Sequence, residues 1–249
     1  MAKLTFLGTA SAVPDKDHHN THFLLESSDR VILVDCSGNP VVRLNQIFID
    51  PLNLTDIVLT HFHPDHVSGL PLLLMDLWLL GRKEKLDIYG LQDVVDRAKK
   101  MMDLYEWQDW RDFYPVIFHC LKAEENASLI NTDQTKLWAF PVCHMVPGIG
   151  LKINLSGRTI CYSSDTAPCD AVMKMATSVD LLIHEASGES FGHTSAEQAG
   201  KIAQQAGVKK LCLIHYDPKM ESEKLIAQAK TSFSGDVIVA DDLMTISFY

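Results

Sequence analysis

The sequence predicts an α/β fold, arranged as a four-layer αββα sandwich with one sheet and its helices in each half. Short runs rich in β-branched and aromatic residues recur along the chain, separated by Gly, Pro, Asp or Asn. Helical patterns lie between these runs, so strands and helices alternate through both halves. No Pro-rich or Ser-rich linker interrupts the 249 residues. We therefore expect residues 1–249 to form a single domain made of two αβ halves.

The predicted strands are bounded by turn-forming residues. In the first half they are Lys3–Gly8, His22–Glu26, Val31–Cys36, Asp56–Thr60, Leu86–Tyr89 and Val116–His119. In the second half they are Thr135–Cys143, Ile149–Leu155, Thr159–Ser163, Leu181–His184, Lys210–His215, Asp236–Val239 and Met244–Phe248. The tripeptide SGR at Ser156–Arg158 predicts the tight turn of a hairpin.

The predicted helices lie between the strands, and the segment TSAEQAGKIAQQAG is the clearest of them. Ser195 and Gln198 have the spacing of a capping box, alanines recur on one face, and Gly207 ends the helix. The predicted helices are Val67–Leu80, Gln92–Tyr105, Asp170–Thr177, Ser195–Gln205 and Glu221–Thr231.

Composition argues against several classes of function. The formal net charge of −10 disfavours a sequence-independent grip on nucleic acid, because such binding depends on Lys and Arg. The apolar run Gly69–Gly81 is too short to cross a bilayer and contains Asp76, and the run after Lys3 is too short for a secretory signal. The six cysteines are scattered without a CxxC pair, which favours a reducing, cytoplasmic location. We expect no membrane partner.

The stretch THFHPDHVSG follows the fourth predicted strand and places three histidines and an aspartate within six positions. His61 and His63 are two apart in an extended segment and point the same way, whereas Pro64 starts a helix whose first turn carries Asp65 and His66. Imidazole and carboxylate donors suit Zn²⁺, with Mn or Fe as alternatives, better than Mg or Ca. Two Zn²⁺ ions fit better than one, because four such groups overfill a tetrahedral site that keeps a position for water.

Further ligand-type residues stand at the ends of predicted strands. His144 follows LWAFPVC, Asp165 follows TICYSS and His215 follows LCLI. Loops at strand ends are where an α/β scaffold collects functional groups from distant parts of a chain. We therefore expect these residues to converge with the histidine cluster on one edge of the sandwich.

The segment HFHPDH resembles the His-x-His-x-Asp-His signature of the metallo-β-lactamase fold, and the likeness covers nearly the whole chain. It implies one metallo-β-lactamase-like domain over residues 1–249. It also implies two zinc ions with three ligands each and Asp165 bridging them. The implied ligands of the first ion are His61, His63 and His144, and those of the second are Asp65, His66 and His215.

Within this fold the sequence is most similar to the ribonuclease Z branch. The likeness lies in LGTASAVP near the start, VILVDCSG at Val31–Gly38 and LLIHEASGESFGHTSAEQAGKIA at Leu181–Ala203. In that branch a Glu pairs with the His of the GHTS segment, which here would be Glu185 and His193. The resemblance implies a dinuclear-zinc phosphodiesterase that uses a metal-bridging hydroxide. Asp65 would orient the hydroxide, and His193 would stabilise the phosphoryl oxygen or protonate the leaving group.

Two departures from the tRNA-processing members bear on the substrate. Those members carry a long arm between the third-motif His and the bridging Asp, whereas twenty residues separate His144 from Asp165 here and the hairpin Ile149–Ser163 fills them. Their Ser-x-Arg-Tyr segment after the last ligand is replaced by HYDPKM. These departures favour a small-molecule or short nucleotide phosphodiester, such as a cyclic nucleotide, over a whole tRNA. A homodimer is compatible with the sequence.

Other functions stay open at the level of sequence. An acyl hydrolase, either a lactonase or a thioesterase of glyoxalase II type, would use the same metals on a carbonyl, although it does not need the Glu185–His193 donor. An iron redox enzyme usually has Glu at the position of His63. A metal-binding sensor without turnover would lack one or more ligands, and none is missing from this sequence.

The remaining histidines carry a weaker signal, because a lone His near an apolar run is more often structural than a ligand. We expect structural roles for His18, His19, His22, His119 and His184. His18 and His19 also follow a Pro-containing loop that could border the site, and their role stays open. Asp35 stands where an Asp of this superfamily braces the metal ligands.

Overall fold

Fourteen strands and seven α-helices make up the described part of the chain, residues 2–248 of a computed structural model. The strands are β1 Ala2–Gly8, β2 His22–Glu26, β3 Val31–Val34, β4 Asp56–Val58, β5 Leu86–Leu91, β6 Val116–Leu121, β7 Ala127–Asn131, β8 Thr135–Pro141, β9 Ile149–Leu155, β10 Arg158–Tyr162, β11 Leu181–Glu185, β12 Lys210–Ile214, β13 Asp236–Val239 and β14 Thr245–Phe248. The helices are α1 Pro40–Gln46, α2 Pro64–Val67, α3 Leu70–Leu79, α4 Gln92–Asp103, α5 Asp170–Met175, α6 Ala196–Ala206 and α7 Ser222–Lys230. Two short 3₁₀ helices cover Pro51–Asn53 and Trp107–Asp109.

The strands form two seven-stranded mixed sheets. The strand order is β14-β1-β2-β3-β4-β5-β6 in the first sheet and β13-β12-β11-β10-β9-β8-β7 in the second. Strands β3 to β6 run parallel, and so do β10 to β13. Because the carboxyl ends of parallel strands meet at one edge of a sheet, the loops that follow these strands are brought together there.

The largest apolar cluster lies between the two sheets and draws residues from both. Phe23 of β2 meets Tyr162 of β10 edge to face, with 4.9 Å between ring centroids. Helices α1, α3 and α4 add buried residues to this cluster. A second cluster, which includes Val172, Ile202 and Leu225, packs α5, α6 and α7 onto the second sheet. The predicted four-layer sandwich is confirmed.

The predicted strands and helices are all present, with ends shifted by up to two residues apart from the first helix. Helix α1 and strand β7 were not predicted. Helix α1 begins at Pro40 and continues with two valines, which disfavour helix, although Asn39 caps the helix by accepting from the Val42 amide. Strand β7 lies at the sheet edge and pairs with an irregular register near Ser128.

The prediction of one helix over Val67–Leu80 was wrong, because α2 and α3 are separated at Ser68 and Gly69. A Cβ at Gly69 would lie 2.8 Å from the Gly38 carbonyl oxygen, so this close approach requires glycine. The predicted hairpin turn is confirmed, since the turn between β9 and β10 has left-handed backbone at two successive residues. None of the helices within residues 2–248 has the length and apolar character that crossing a membrane requires.

Candidate metal centre

The first half contributes its ligand-type residues from one short segment. Strand β4 ends at Val58, and an irregular segment leads to His63, the N-cap of α2, whose backbone is extended with φ −97° and ψ 150°. The His66 amide donates to the His63 carbonyl at 3.0 Å, so the first helical turn starts directly at His63. This change from extended to helical backbone aims His61, His63, Asp65 and His66 at one region.

The second half contributes residues from four separate places. His144 follows β8, Asp165 follows β10, and His215 follows β12. Glu185 is the last residue of β11, and His193 lies in the loop before α6.

The backbone leaves strands β3, β10 and β12 through non-glycine residues in the left-handed region, a strained conformation that clusters at functional sites. These residues are Asp35, Ser164 and His215, with φ of 59°, 55° and 53°.

Three overlapping groups of possible ligand atoms form at this edge, and the atoms within each group lie within 4.8 Å of one another. The groups are His61, His63, His144 with Asp165; Asp65, His66 with His215; and Asp165, His193 with His215. The structure therefore brings together all seven residues predicted as metal ligands, together with His193.

Asp165 lies at the centre of these groups. Its Oδ2 atom is 3.1 Å from His215 Nε2 and 3.8 Å from His61 Nε2. The same oxygen is 4.0 Å from His144 Nε2, whereas Oδ1 is 3.6 Å from His66 Nε2. One carboxylate thus faces residues of both three-residue sets that the sequence indicated.

Four of the histidines have Nδ1 near an outer polar group and Nε2 turned into the centre. Such outer partners fix the orientation and tautomer of a metal-binding imidazole. The pairs are His61 with Thr60 Oγ1 at 3.1 Å, His66 with Asp35 Oδ2 at 2.8 Å, His144 with the Gly192 carbonyl at 2.8 Å, and His215 with Thr21 Oγ1 at 3.0 Å. These outer contacts therefore orient the four Nε2 atoms towards the centre of the site.

The donors fit a divalent cation of the zinc type. His66 Nε2 and Asp165 Oδ1 are buried and lack a hydrogen-bond partner among residues 2–248, which is rare for buried polar atoms. His63 Nδ1 lies 3.1 Å from both His61 Nε2 and His144 Nε2. A cation shared by these three nitrogens would satisfy all of them at once. Imidazole with carboxylate suits Zn²⁺ and its neighbours.

Two groups of the centre, His61 and Asp165, have pKa values shifted in the direction that favours cation binding. Burial, reinforced by the neighbouring His66 imidazole, lowers the pKa of His61 well below its usual value. Burial pushes the pKa of Asp165 upwards, but His215 and His66 outweigh it and hold that pKa well below the usual range. At neutral pH the His61 lone pair is thus free and Asp165 is ionised.

Glu185 and His193 form a hydrogen-bonded pair beside the centre. His193 Nδ1 donates to Glu185 Oε1 at 3.0 Å, and the Thr166 amide donates to the same oxygen at 2.7 Å. The bond to Glu185 raises the pKa of His193 above its ordinary value. The His193 ring lies 4.9 Å from the His144 ring, centroid to centroid. An imidazole oriented by a buried carboxylate therefore borders the ligand cluster.

The family model of the anti-Pycsar protein Apyc1 matches residues 2–236. The chain belongs to this family. Among curated relatives of this Apyc1 family member, ribonuclease Z of Methanothermobacter thermautotrophicus is 29% identical, over 99% of this chain and 96% of the relative.

Solved structures give the same picture. Human tRNase Z, short form, has a TM-score of 0.80 and 26% identity, and the match covers 99% of each chain. The metallo-β-lactamase fold protein YhfI from Bacillus subtilis has a TM-score of 0.85 and 23% identity over 98% of each chain, a likeness of fold. The predicted resemblance to the short ribonuclease Z-like branch of the metallo-β-lactamase fold is confirmed.

The remaining predictions for this Apyc1 family member concern residues around the centre. Asp35 accepts from the Thr60 amide at 2.8 Å and lies against His66, so it joins both ends of the local motif. The five histidines expected to be structural lie outside the three groups within residues 2–248. Sequence reasoning missed Thr21 and the Gly192 carbonyl, because neither has a local signal and both act across long separations in the chain.

Proposed function

We propose that this chain is a dinuclear-zinc phosphodiesterase acting on a small or flexible phosphodiester, such as a short or cyclic nucleotide. The protein is a metal-dependent hydrolase of phosphodiester bonds, the class to which its relatives named ribonuclease Z and tRNase Z belong. The observation that carries the proposal is the meeting of two ligand sets around Asp165, with the Glu185–His193 pair beside them.

In this proposal the seven convergent side chains hold two zinc ions. The first ion would be held by His61, His63 and His144, and the second by Asp65, His66 and His215. Asp165 would serve both, which is supported by the distances of its two oxygens to the surrounding histidines. Seven donors exceed what one tetrahedral zinc site accepts, and this supports two ions.

When bound, a pair of such ions supplies a water of near-neutral pKa as nucleophile and neutralises charge on the phosphoryl oxygens. Asp65 is half-buried at the start of α2, where its carboxylate would orient that water. His193, kept protonated by Glu185, donates a proton or a hydrogen bond to the ester oxygen that leaves. Glu185 is buried and positions His193.

Three observations support a small substrate. The chain between His144 and Asp165 is occupied by β9, a two-residue turn and β10, which leaves no room for an inserted arm. The alignment with the archaeal ribonuclease Z runs over 296 positions, although this chain has 249 residues, so the relative carries segments absent here. The net charge of −10 weakens a grip on a long polyanion.

The test is turnover of bis(p-nitrophenyl) phosphate, a lactone and a thioester by zinc-loaded protein, with metal content measured by mass spectrometry. We expect two zinc ions per chain and cleavage of the phosphodiester, with activity lost on chelation. His193→Ala should lower turnover of a cyclic nucleotide at least a hundred-fold, the usual contribution of a general acid, because the sugar alkoxide that leaves needs a proton, whereas p-nitrophenolate leaves without one.

His119→Ala is the matched control, because His119 also bonds a carboxylate, Asp87 at 2.8 Å, outside the three groups. It should keep full turnover. Cleavage of the lactone or thioester with the phosphodiester untouched would overturn the proposal. Full turnover of the cyclic nucleotide in His193→Ala would overturn the acid role alone.

We also propose a homodimer. Leu79 and Leu104 are 66% and 83% exposed at the ends of α3 and α4, and Leu80 and Tyr105 are exposed beside them. Of these residues, Tyr105 also lines an apolar cavity of about 200 Å³. Exposed apolar side chains of this kind are typical of an interface between copies. Leu104→Asp should produce a monomer by light scattering, whereas Phe48→Asp should not; a wild-type monomer at high concentration would contradict the proposal.

The location of the protein stays a proposal as well. All six cysteines are free in the described structure, which suits the reducing cytoplasm. Detection of the tagged protein by cell fractionation tests this directly, and recovery in an oxidising compartment would contradict it.

A further inference from the structure

The loop that carries His193 ends in a tight turn, Ser190 to His193. The His193 amide donates to the Ser190 carbonyl at 3.1 Å, and Gly192, the third residue, has φ +82°. Positive φ at that position, without positive φ at Phe191, is the pattern of a type II turn and favours glycine. A Cβ on Gly192 would lie 3.0 Å from His144 Nδ1 and 3.2 Å from Met145 Cγ. Glycine therefore lets this turn press against the loop that holds His144.

Phe191 occupies the second position of the turn and is 83% exposed. The loop beneath it is tied at several points, because the Gly188 amide donates to the Thr194 carbonyl at 3.2 Å and His144 bonds the Gly192 carbonyl at 2.8 Å. Met145, the residue after His144, is 53% exposed on the adjoining loop. Two large apolar side chains are thus held in the open beside the metal centre.

We propose that Phe191 and Met145 form an apolar ledge that binds the aromatic or apolar group esterified to the phosphate. The inference rests on the proposed phosphodiesterase function and names a specificity-determining contact for it. Exposed aromatic rings on fixed loops are suited to stacking against a nucleobase or an aryl group. Such stacking does not depend on the identity of the base, because every base has a π-face.

The position of His193 favours a substrate as the occupant. Its ring lies 4.9 Å from the His144 ring and 6.2 Å from the His215 ring, centroid to centroid, and Phe191 is two residues away. A phosphoryl group held at the ligand cluster, with one ester oxygen at His193, directs the attached group past the ledge. With a net charge of −10, the protein surface offers little electrostatic attraction for an anionic substrate outside the metal centre. Apolar contact with the group attached to the phosphate would therefore supply selectivity among substrates.

The experiment compares binding of phenyl phosphate and methyl phosphate to the zinc-loaded protein by calorimetry, a readout that needs no turnover. The two probes share the phosphate and differ in the aromatic ring. We expect the wild type to prefer phenyl phosphate, and Phe191→Ala to lower that preference roughly ten-fold, the scale of one lost stacking contact. Methyl phosphate should bind the variant as it binds the wild type. Met145→Ala should give a smaller loss.

Phe191→Tyr keeps the ring and should keep the preference, and Phe48→Ala, which removes a ring 96% exposed on the segment after α1, should change nothing. Equal weakening of both probes, or an unchanged preference in Phe191→Ala, would overturn the ledge. So would a change of oligomeric state in that variant, since a second copy would then be the occupant. Failure of the wild type to bind either phosphate counts against the proposed function itself.

Discussion

The two halves of the molecule build their shares of the candidate metal centre in different ways. The first half delivers His61, His63, Asp65 and His66 from six consecutive positions, where the segment after β4 leads into α2. The second half delivers His144, Asp165, His193 and His215 from separate loops, spread over about seventy residues. A local pattern therefore specifies the first share, whereas the pairing of β8 to β12 specifies the second.

The two halves also differ in the contacts that hold their ligand residues in place. In the first half, Asp35 holds Thr60 and His66 together, so the motif is braced from the neighbouring strand β3. In the second half the braces cross between loops or between halves, as the contact of Thr21 with His215 shows. The dispersed ligands depend on the whole fold, and the contiguous ones depend on one loop.

The largest effect is expected from Asp165→Asn, which removes the charge that both ligand sets face. Without it the two proposed cations would lose the carboxylate that they share, and zinc content should fall below one ion per chain. Turnover of bis(p-nitrophenyl) phosphate should fall roughly a thousand-fold or more, since metal ions contribute several kcal/mol to such reactions. Mass spectrometry of bound metal and initial rates measure the two losses.

His63→Ala is the companion variant from the contiguous segment. It should cost one zinc ion and leave the set around His215 in place. If Asp165→Asn instead kept both ions and full turnover, the first-half segment would be a sufficient site by itself, and the comparison between the halves would fail.

Much of this contrast could be predicted from the sequence. The HFHPDH pattern indicated a metal site because its ligand types and spacing are local, and the strand ends at His144 and Asp165 stood out as polar residues after apolar runs. The assignment of ligands to two ions needed the family resemblance and stays a proposal. The single-domain organisation also stays a prediction.

The missed features are contacts between residues far apart in the chain. The break between α2 and α3 depends on Gly69 lying against the Gly38 carbonyl, which no periodicity encodes. Helix α1 was hidden by β-branched residues in its first turn, where the Asn39 cap outweighs propensity. The exposure of Phe191 follows from its turn lying against Met145, again a tertiary contact.

The next largest effect is expected from protonation at acid pH of His22, which lies next to a contact between the two halves. Burial lowers the pKa of His22 to about 4, so between pH 6.5 and 4 the unfolded chain binds a proton that the folded chain does not. The contribution of His22 to stability is therefore complete above pH 6.5, and we expect it to fall by about 3 kcal/mol as the pH approaches 4. His22 follows Thr21, whose hydroxyl contacts His215, so protonation also strains the contact between halves.

His22→Asn removes this titration while its amide can still donate to the Asn20 carbonyl, which His22 Nδ1 reaches at 2.8 Å. Urea unfolding at pH 7 and pH 4 should show a smaller acid-induced loss in the variant than in the wild type. Parallel losses in both proteins would mean that other groups govern acid sensitivity.

A smaller effect on zinc affinity is expected when the outer partners of His66 and His215 are changed. Asp35→Asn should weaken zinc affinity about 10–100-fold, the usual effect of losing an outer partner of a metal-binding His. Asparagine tolerates the left-handed backbone at this position, φ 59°, so the variant removes charge without added strain. Thr21→Val, which removes the hydroxyl beside His215, should have the smaller effect because no charge is lost. Chelator competition measures both, and equal effects would remove the distinction between the braces.

The smallest effect is expected at the amino end of β11, where Asp180 lies close to Lys209 at 2.6 Å and accepts from the Thr159 amide at 2.9 Å. The bond with Lys209 lowers the pKa of Asp180 to about 2. The unfolded chain takes up this proton first as the pH falls, so the contribution is present above about pH 4 and is lost towards pH 2. Because Lys209 is largely exposed and the pair is screened, we expect about 1 kcal/mol.

Asp180→Asn should therefore lower the free energy of unfolding at pH 5 and leave it nearly unchanged at pH 2, with the difference shrinking in high salt. Zinc content and turnover should not change, since Asp180 stands at the opposite end of the strand from Glu185. A loss of bound zinc in this variant would mean that the dispersed ligands respond to stability anywhere in the second half. Unchanged zinc would confine that dependence to the loops at the carboxyl ends of the strands.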